Sequence, residues 1–298
     1  MAPFWRVAEA SSTRRNLGLD FLRAMAIGMV VLCHAIELLP SSTLGILVYW
    51  WTGYLGVELF YVLSGYLIGS ILLEICQRHR GKISFRKHLP DFLIRRWFRT
   101  LPNYYLFLLL DILINTYPPQ LIPRYLLFCQ NLAWPMASIM SVSWSLAIEE
   151  WFYLTFPVLL IVLLKWLGSP ERALAMAGGC YLAFFFILRG LASEPGLEMR
   201  KVVVLRLDAI AFGALMMLVM RLWPETLRKA RYLLAAAGLA GTGFVLWWLT
   251  QLVYGAPPIW GAALYSLTGV SLACWLPLAV FQTEGAGASK LRTAIATE

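Results

Sequence analysis

LDFLRAMAIGMVVLCHAIE, from Leu19 to Glu37, is apolar enough to enter a bilayer, yet it holds Asp20, Arg23, His34 and Glu37. A helix needs about 20 apolar residues to cross the hydrocarbon layer. An ionisable group at the centre of such a helix costs roughly 2.5 to 3.5 kcal/mol, so each one is a candidate for function. Arg23 and His34 are separated by eleven positions; at about 100° per residue the helix returns to within roughly 20° of the same face, about 16 Å further along its axis. The stretch therefore reads as a membrane helix whose polar residues look into one cavity from different depths.

The rest of the chain agrees with a membrane setting. Of 298 residues 60% are hydrophobic and only 14% charged, too few charges to clothe a soluble domain of this size. The net charge of +9 is no nucleic-acid footprint, because much of it falls in one block between apolar segments: Arg78, Arg80, Lys82, Arg86, Lys87, Arg95, Arg96 and Arg99. Cys33, Cys76, Cys129, Cys180 and Cys274 form no CxxC pair and no metal-ligand spacing, so they read as small buried hydrophobes.

Hydropathy places eight spans near 17 to 39, 47 to 75, 101 to 117, 144 to 167, 172 to 191, 202 to 223, 231 to 253 and 258 to 281. A ninth stretch, LIPRYLLFCQNLAWPM from Leu121 to Met136, is short, polar at Arg124, Gln130 and Asn131, and bounded by Pro123 and Pro135. If it crossed, the cluster Arg221, Arg228, Lys229 and Arg231 would fall outside, against the positive-inside tendency. A re-entrant segment keeps every basic cluster on one side, and irregular backbone at that depth requires a cavity or a protein cover. The expected fold is an all-α polytopic bundle of about eight helices plus one re-entrant segment. Residues 1 to 16 read as a cytoplasmic tail, 17 to 282 as one membrane domain and 283 to 298 as a short polar tail.

Other polar residues interrupt the spans. His34 suits a general base on a hydroxyl, or a structural histidine bonded to a neighbouring helix. Glu37 reads first as an interfacial charge, with orientation of the imidazole as its other role. Glu58, in YLGVELFYVLSGYLIGSILLEI, should pair with Arg23 or accept from His34, while Gly53, Gly56, Gly65 and Gly69 mark close helix packing. In RRWFRTLPNYY, Arg96 and Arg99 stand one turn apart, either to bind an anion or to anchor the cytoplasmic end of a span. SVSWSLAIEEWFYLTFP sets Glu149 and Glu150 beside Trp144 and Ser145, with at most one of the acids facing a given site. Arg206 and Asp208 read as a pair at a helix end.

Four ordered motifs, LDFLRAMAIGMVVLCHA, GYLGVELFYVLSGYLIG, RRWFRTLPNYY and SWSLAIEEWFYLTFP, with a weaker RLDAIAFGAL, give the chain a resemblance to the acyltransferase 3 family of integral-membrane acyltransferases. The resemblance implies transfer of an acyl group, most often acetyl, from cytoplasmic acyl-CoA to a hydroxyl of a carbohydrate or cell-envelope acceptor. It implies residence in a bacterial inner membrane with a cytoplasmic N-terminus. The family's first-span Arg and His fall on Arg23 and His34, its Arg-x-x-Arg on Arg96 and Arg99, and its acids on Glu58 and Glu149. This implies His34 as base or transient acyl carrier with Glu149 beside it, Arg23, Arg96 and Arg99 at the CoA moiety, and Asp20, Glu58, Trp144 and Ser145 in support. Family members generally continue with further spans, so a chain ending at Glu298 is expected to be C-terminally truncated. A transporter or flippase using the same charged cavity is the competing expectation; it would show paired half-repeats, and no such internal symmetry is visible.

Overall fold

Asn16 begins the first helix by accepting hydrogen bonds from the Gly18 and Leu19 amides on its side-chain oxygen, which satisfies two of the orphan donors at a helix N-terminus. The computed structural model describes residues 16–38, 42–78, 85–115, 117–134, 139–192, 197–254 and 261–282. The expected tails at 1 to 15 and 283 to 298 lie outside them. The helices are α1 (Leu17–Ile36), α2 (Thr43–Arg78), α3 (Phe85–Ile114), a short α4 (Ile122–Leu126), α5 (Trp144–Leu167), α6 (Pro170–Leu191), α7 (Asp208–Leu222), α8 (Pro224–Val253) and α9 (Gly261–Ala273). After a turn at Cys274 and Trp275 the last helix resumes to Gln282.

Among the described residues six helices are long and apolar enough to cross a membrane. The other two expected passes fall on α3 and α7, which are not among these six. α3 begins at Phe85, not near residue 101, and keeps Pro90 and Pro102 inside it. Pro102 is thus no boundary, since the helix continues through it to Ile114. α7 is only 15 residues long, about 22 Å. Most of it is buried among the other helices, so it need not match the bilayer on its own.

Glycine sets how closely the central helices approach. A Cβ on Gly65 would lie 1.8 Å from the Ile210 carbonyl oxygen, and one on Gly213 1.9 Å from that of Val62, so α2 and α7 cross in backbone contact. At the other end of the polarity scale, Phe98, Phe107, Leu113 and Ile114 of α3 and Phe184 and Ile187 of α6 stay exposed, as side chains facing lipid would. α5 and α6 form a tight hairpin: Gly168 takes φ 67° as the C-cap, Ser169 caps the next helix and Pro170 starts it.

The segment expected to be re-entrant makes no membrane-length helix among its described residues. It runs as a 3-10 turn, α4 and a series of turns, and is stapled into the bundle. The Val203 and Val204 amides donate to the Asn131 and Leu132 carbonyls at 2.9 and 3.0 Å. The Asn131 side chain donates to the carbonyls of Trp144 and Lys201, and Tyr104 donates to the carbonyl of Tyr125. Phe128 and Met140 are held at positive φ, 55° and 40°, a strained setting that bulky residues occupy only where the surroundings fix them.

Candidate active site

The charged side chains at the end of the bundle where α1 finishes and α2 begins fall into three groups. The first is wholly buried. Glu58 on α2 receives both its hydrogen bonds from Arg206 Nη2, the one to Oε2 at 2.6 Å, and the Arg206 guanidinium lies 4.2 Å from the Tyr265 ring centre. Asp208 takes a bidentate pair from Arg189, 2.7 Å on each oxygen, and Arg189 also donates to Ser266. Glu58 therefore pairs with neither Arg23 nor His34, and Arg206 and Asp208 are not each other's partner. Arg206 precedes α7 while Asp208 begins it, so their side chains diverge and each meets an opposite charge from another helix.

The second group lines a cavity of about 240 Å³. His34 and Glu37 from α1, Trp50 and Gly53 from α2, Ser141, Trp144 and Ser145 around the start of α5, and Arg200 surround it. His34 Nδ1 stands 3.5 Å from Glu37 Oε2, and the two side chains are 48% and 50% exposed. The carboxylate beside His34 is thus Glu37, one turn on. Of the residues expected to support the site, Trp144 and Ser145 line the His34 cavity while Asp20 and Glu58 do not; nor do Glu149, expected beside His34, or Arg23, expected to look into the same cavity. Arg23 is held by Asp20 at 2.7 Å on the surface of its own helix.

The third group lies deeper. Glu149 accepts from Ser64 at 3.3 Å and from the Tyr153 hydroxyl at 2.9 Å, and Arg96 sits over the Tyr153 ring at 5.7 Å. Glu150 turns instead to the Trp97 indole, which donates to it at 2.9 Å. The adjacent acids do point to different neighbours, as their 100° offset requires. Arg99 lines a second cavity of about 330 Å³ with Asn103, Tyr104, Val142, Ser143 and Leu146. Because α3 starts at Phe85, Arg96 and Arg99 stand well inside it, and not at its first turn. Val142 lines both cavities, so the segment leading into α5 separates them.

Arg189 and Arg200 escaped the sequence reading. Arg189 interrupts the apolar run AFFFILRGL, a signal equal to that of Glu58, whereas Arg200 stands in LEMRK and looks like an ordinary loop charge.

A family model described as an acyltransferase domain matches residues 16–282. The chain is 29% identical over 182 residues to the peptidoglycan O-acetyltransferase OatA of Listeria monocytogenes, covering 54% of this chain and 26% of that protein. It is 31% identical over 202 residues to the putative peptidoglycan O-acetyltransferase YrhL of Bacillus subtilis, covering 60% of this chain and 29% of the relative. It is 33% identical over 184 residues to the O-acetyltransferase OatA of Staphylococcus aureus, covering 54% and 27%. The alignments thus span less than a third of the length of these relatives. No solved structure matches the chain.

Proposed function

The chain belongs to the acyltransferase 3 family, and from that premise we propose that it is an O-acyltransferase moving an acetyl group from acyl-CoA to a hydroxyl of a cell-envelope carbohydrate. The relatives named as peptidoglycan O-acetyltransferases make peptidoglycan the first acceptor to try. The observation that carries the reading is the His34–Glu37 contact inside a polar cavity. Glu37 beside Nδ1 favours the tautomer protonated there, which leaves the Nε2 lone pair for the substrate. As the acceptor oxygen attacks the thioester carbon, its proton passes to Nε2. The carbon–sulfur bond breaks, and the imidazolium returns the proton to the departing thiolate. In the variant with an acyl carrier, Nε2 attacks the thioester carbon and the carbon–sulfur bond breaks to release the CoA thiolate; the acceptor hydroxyl then takes the acyl group from Nε2, its proton passes to the thiolate and neutral His34 is restored.

The basic residues Lys165, Arg172, Arg221, Arg228 and Arg231 sit at the ends of α5 to α8 opposite the His34 cavity. The positive-inside tendency then puts that end in the cytoplasm of a bacterial plasma membrane, with the N-terminus, and His34 towards the outside. Arg96 and Arg99 would meet the CoA phosphates part-way through, and Arg23 would contribute only on release from Asp20.

The test uses the full chain in lipid nanodiscs with labelled acetyl-CoA and soluble peptidoglycan fragments. His34→Ala should retain its helical content and lose transfer. Full transfer by that variant would remove His34 from the chemistry, and acceptor flux without any need for CoA would favour a transporter instead.

A further inference from the structure

Among the described residues three arginines are buried, Arg189, Arg200 and Arg206. Arg189 and Arg206 each have a carboxylate of their own. Arg200, 9% exposed, has none within ion-pair distance among the described residues. Its Nη2 donates to the Gly53 carbonyl at 3.3 Å, its Nε is buried without a partner, and its guanidinium lies 5.5 Å from the Tyr54 ring centre and 4.9 Å from that of Trp144. Aromatic faces attract a cation but leave its charge in place, and the one carboxylate among the described residues lining the same cavity, Glu37, stands beside His34.

Arg200 lines the same cavity as His34, so its counter-charge can arrive with a ligand. Backbone proximity couples the two residues. A Cβ on Gly53 would fall 2.5 Å from Cys33 Sγ, next in sequence to His34, and it is the Gly53 carbonyl that holds Arg200. We propose that Arg200 is an anion receptor in the His34 cavity, and that the molecule acylated there carries a carboxylate or phosphate close to its receiving hydroxyl. The second half rests on acyl transfer at His34; the first does not. A planar guanidinium fork matches both oxyanions. Binding through it would orient the acceptor, with the neighbouring hydroxyl left for His34.

Anion binding is measured on the full chain in nanodiscs by thermal unfolding at constant ionic strength, with D-glucuronate, inorganic phosphate and D-glucose as probes. Glucuronate alone stabilising the protein marks a carboxylate site, phosphate alone a phosphate site, and glucose should do nothing. Arg200→Gln should weaken the effect roughly ten- to hundredfold, the worth of a charged hydrogen bond. Arg200→Lys, which keeps the charge, should restore part of it and guards against a folding defect in the first variant. If neither anion stabilises the wild type, or if both act equally on Arg200→Gln, the receptor does not exist. Saturable anion binding together with full transfer by His34→Ala would leave the receptor standing while the reading of His34 as the reacting group fell.

Discussion

The ion pairs of Glu58–Arg206 and Arg189–Asp208 and the pair His34–Glu37 occupy the same end of one helical bundle, yet they are built in opposite ways. In the first set each side chain is at most 3% exposed and the contacts are close. In the second both partners are about half exposed and 3.5 Å apart. A charge in a bilayer protein has to find its own counter-charge or remain in contact with water. In the closed pairs each charge is neutralised by its partner, and together they hold α2, α6 and the start of α7 in register. The open pair, with Arg200 beside it, keeps capacity for a ligand. Depth alone therefore does not separate the two kinds of charge; contact with a cavity does.

The largest effect should come from opening a closed pair. Arg206→Met leaves the Glu58 carboxylate buried and unpaired, and stability should fall by about 3 to 5 kcal/mol, read as a lower midpoint of thermal unfolding in detergent. Glu58→Leu combined with Arg206→Met removes both charges and should regain much of that loss. If the double variant is no better than the single one, the pair does more than neutralise itself, and the contrast with His34 weakens. A smaller loss should follow Gly65→Ala. The new Cβ meets the Ile210 carbonyl oxygen at 1.8 Å, and the forced separation of α2 from α7 should cost about 1 to 3 kcal/mol in the same measurement.

How much of this was legible in sequence depends on range. The helices were, since hydropathy over about 20 residues is a local property, and α5 runs from Trp144 to Leu167 as expected. The cost of Glu58 was also visible, but not its partner: Arg206 lies 148 positions away, and no spacing rule reaches that far. Pairing Glu58 with Arg23 failed because Asp20, one turn earlier on α1, already holds that guanidinium. The start of α3 was missed because a basic block and Pro102 look like a boundary, whereas the helix runs through both from Phe85. Arg200 was hidden for the opposite reason: it lies in a short 3-10 segment, where a charge ordinarily faces water.

Glu37→Gln addresses the open side of the comparison. Half-exposed ion pairs contribute roughly 0 to 1 kcal/mol, so its unfolding midpoint should stay near that of the wild type. Transfer should nevertheless drop by about tenfold, a fraction of what general-base catalysis contributes, because the imidazole loses its orienting carboxylate. A positioning role makes a sharper demand: in the His34→Ala background Glu37→Gln should cause no further loss, since residues acting as a unit are not additive. An equal loss in both backgrounds would show that Glu37 acts on the substrate directly.

Arg23→Gln should have the smallest effect on stability and gives the cleanest separation of fold from function. Its pair with Asp20 is an i,i+3 contact between side chains 36% and 25% exposed, which is worth about 0.5 kcal/mol or less. Unfolding should therefore hardly move. If Arg23 leaves Asp20 to meet acyl-CoA, the variant should raise KM for acetyl-CoA with little change in kcat, the mark of binding shared by ground and transition states. If KM and kcat both hold, the Arg23–Asp20 pair is closed in the functional sense although exposed. Exposure would then no longer separate the two classes of charge, and only the missing counter-charge, as at Arg200, would remain as the criterion.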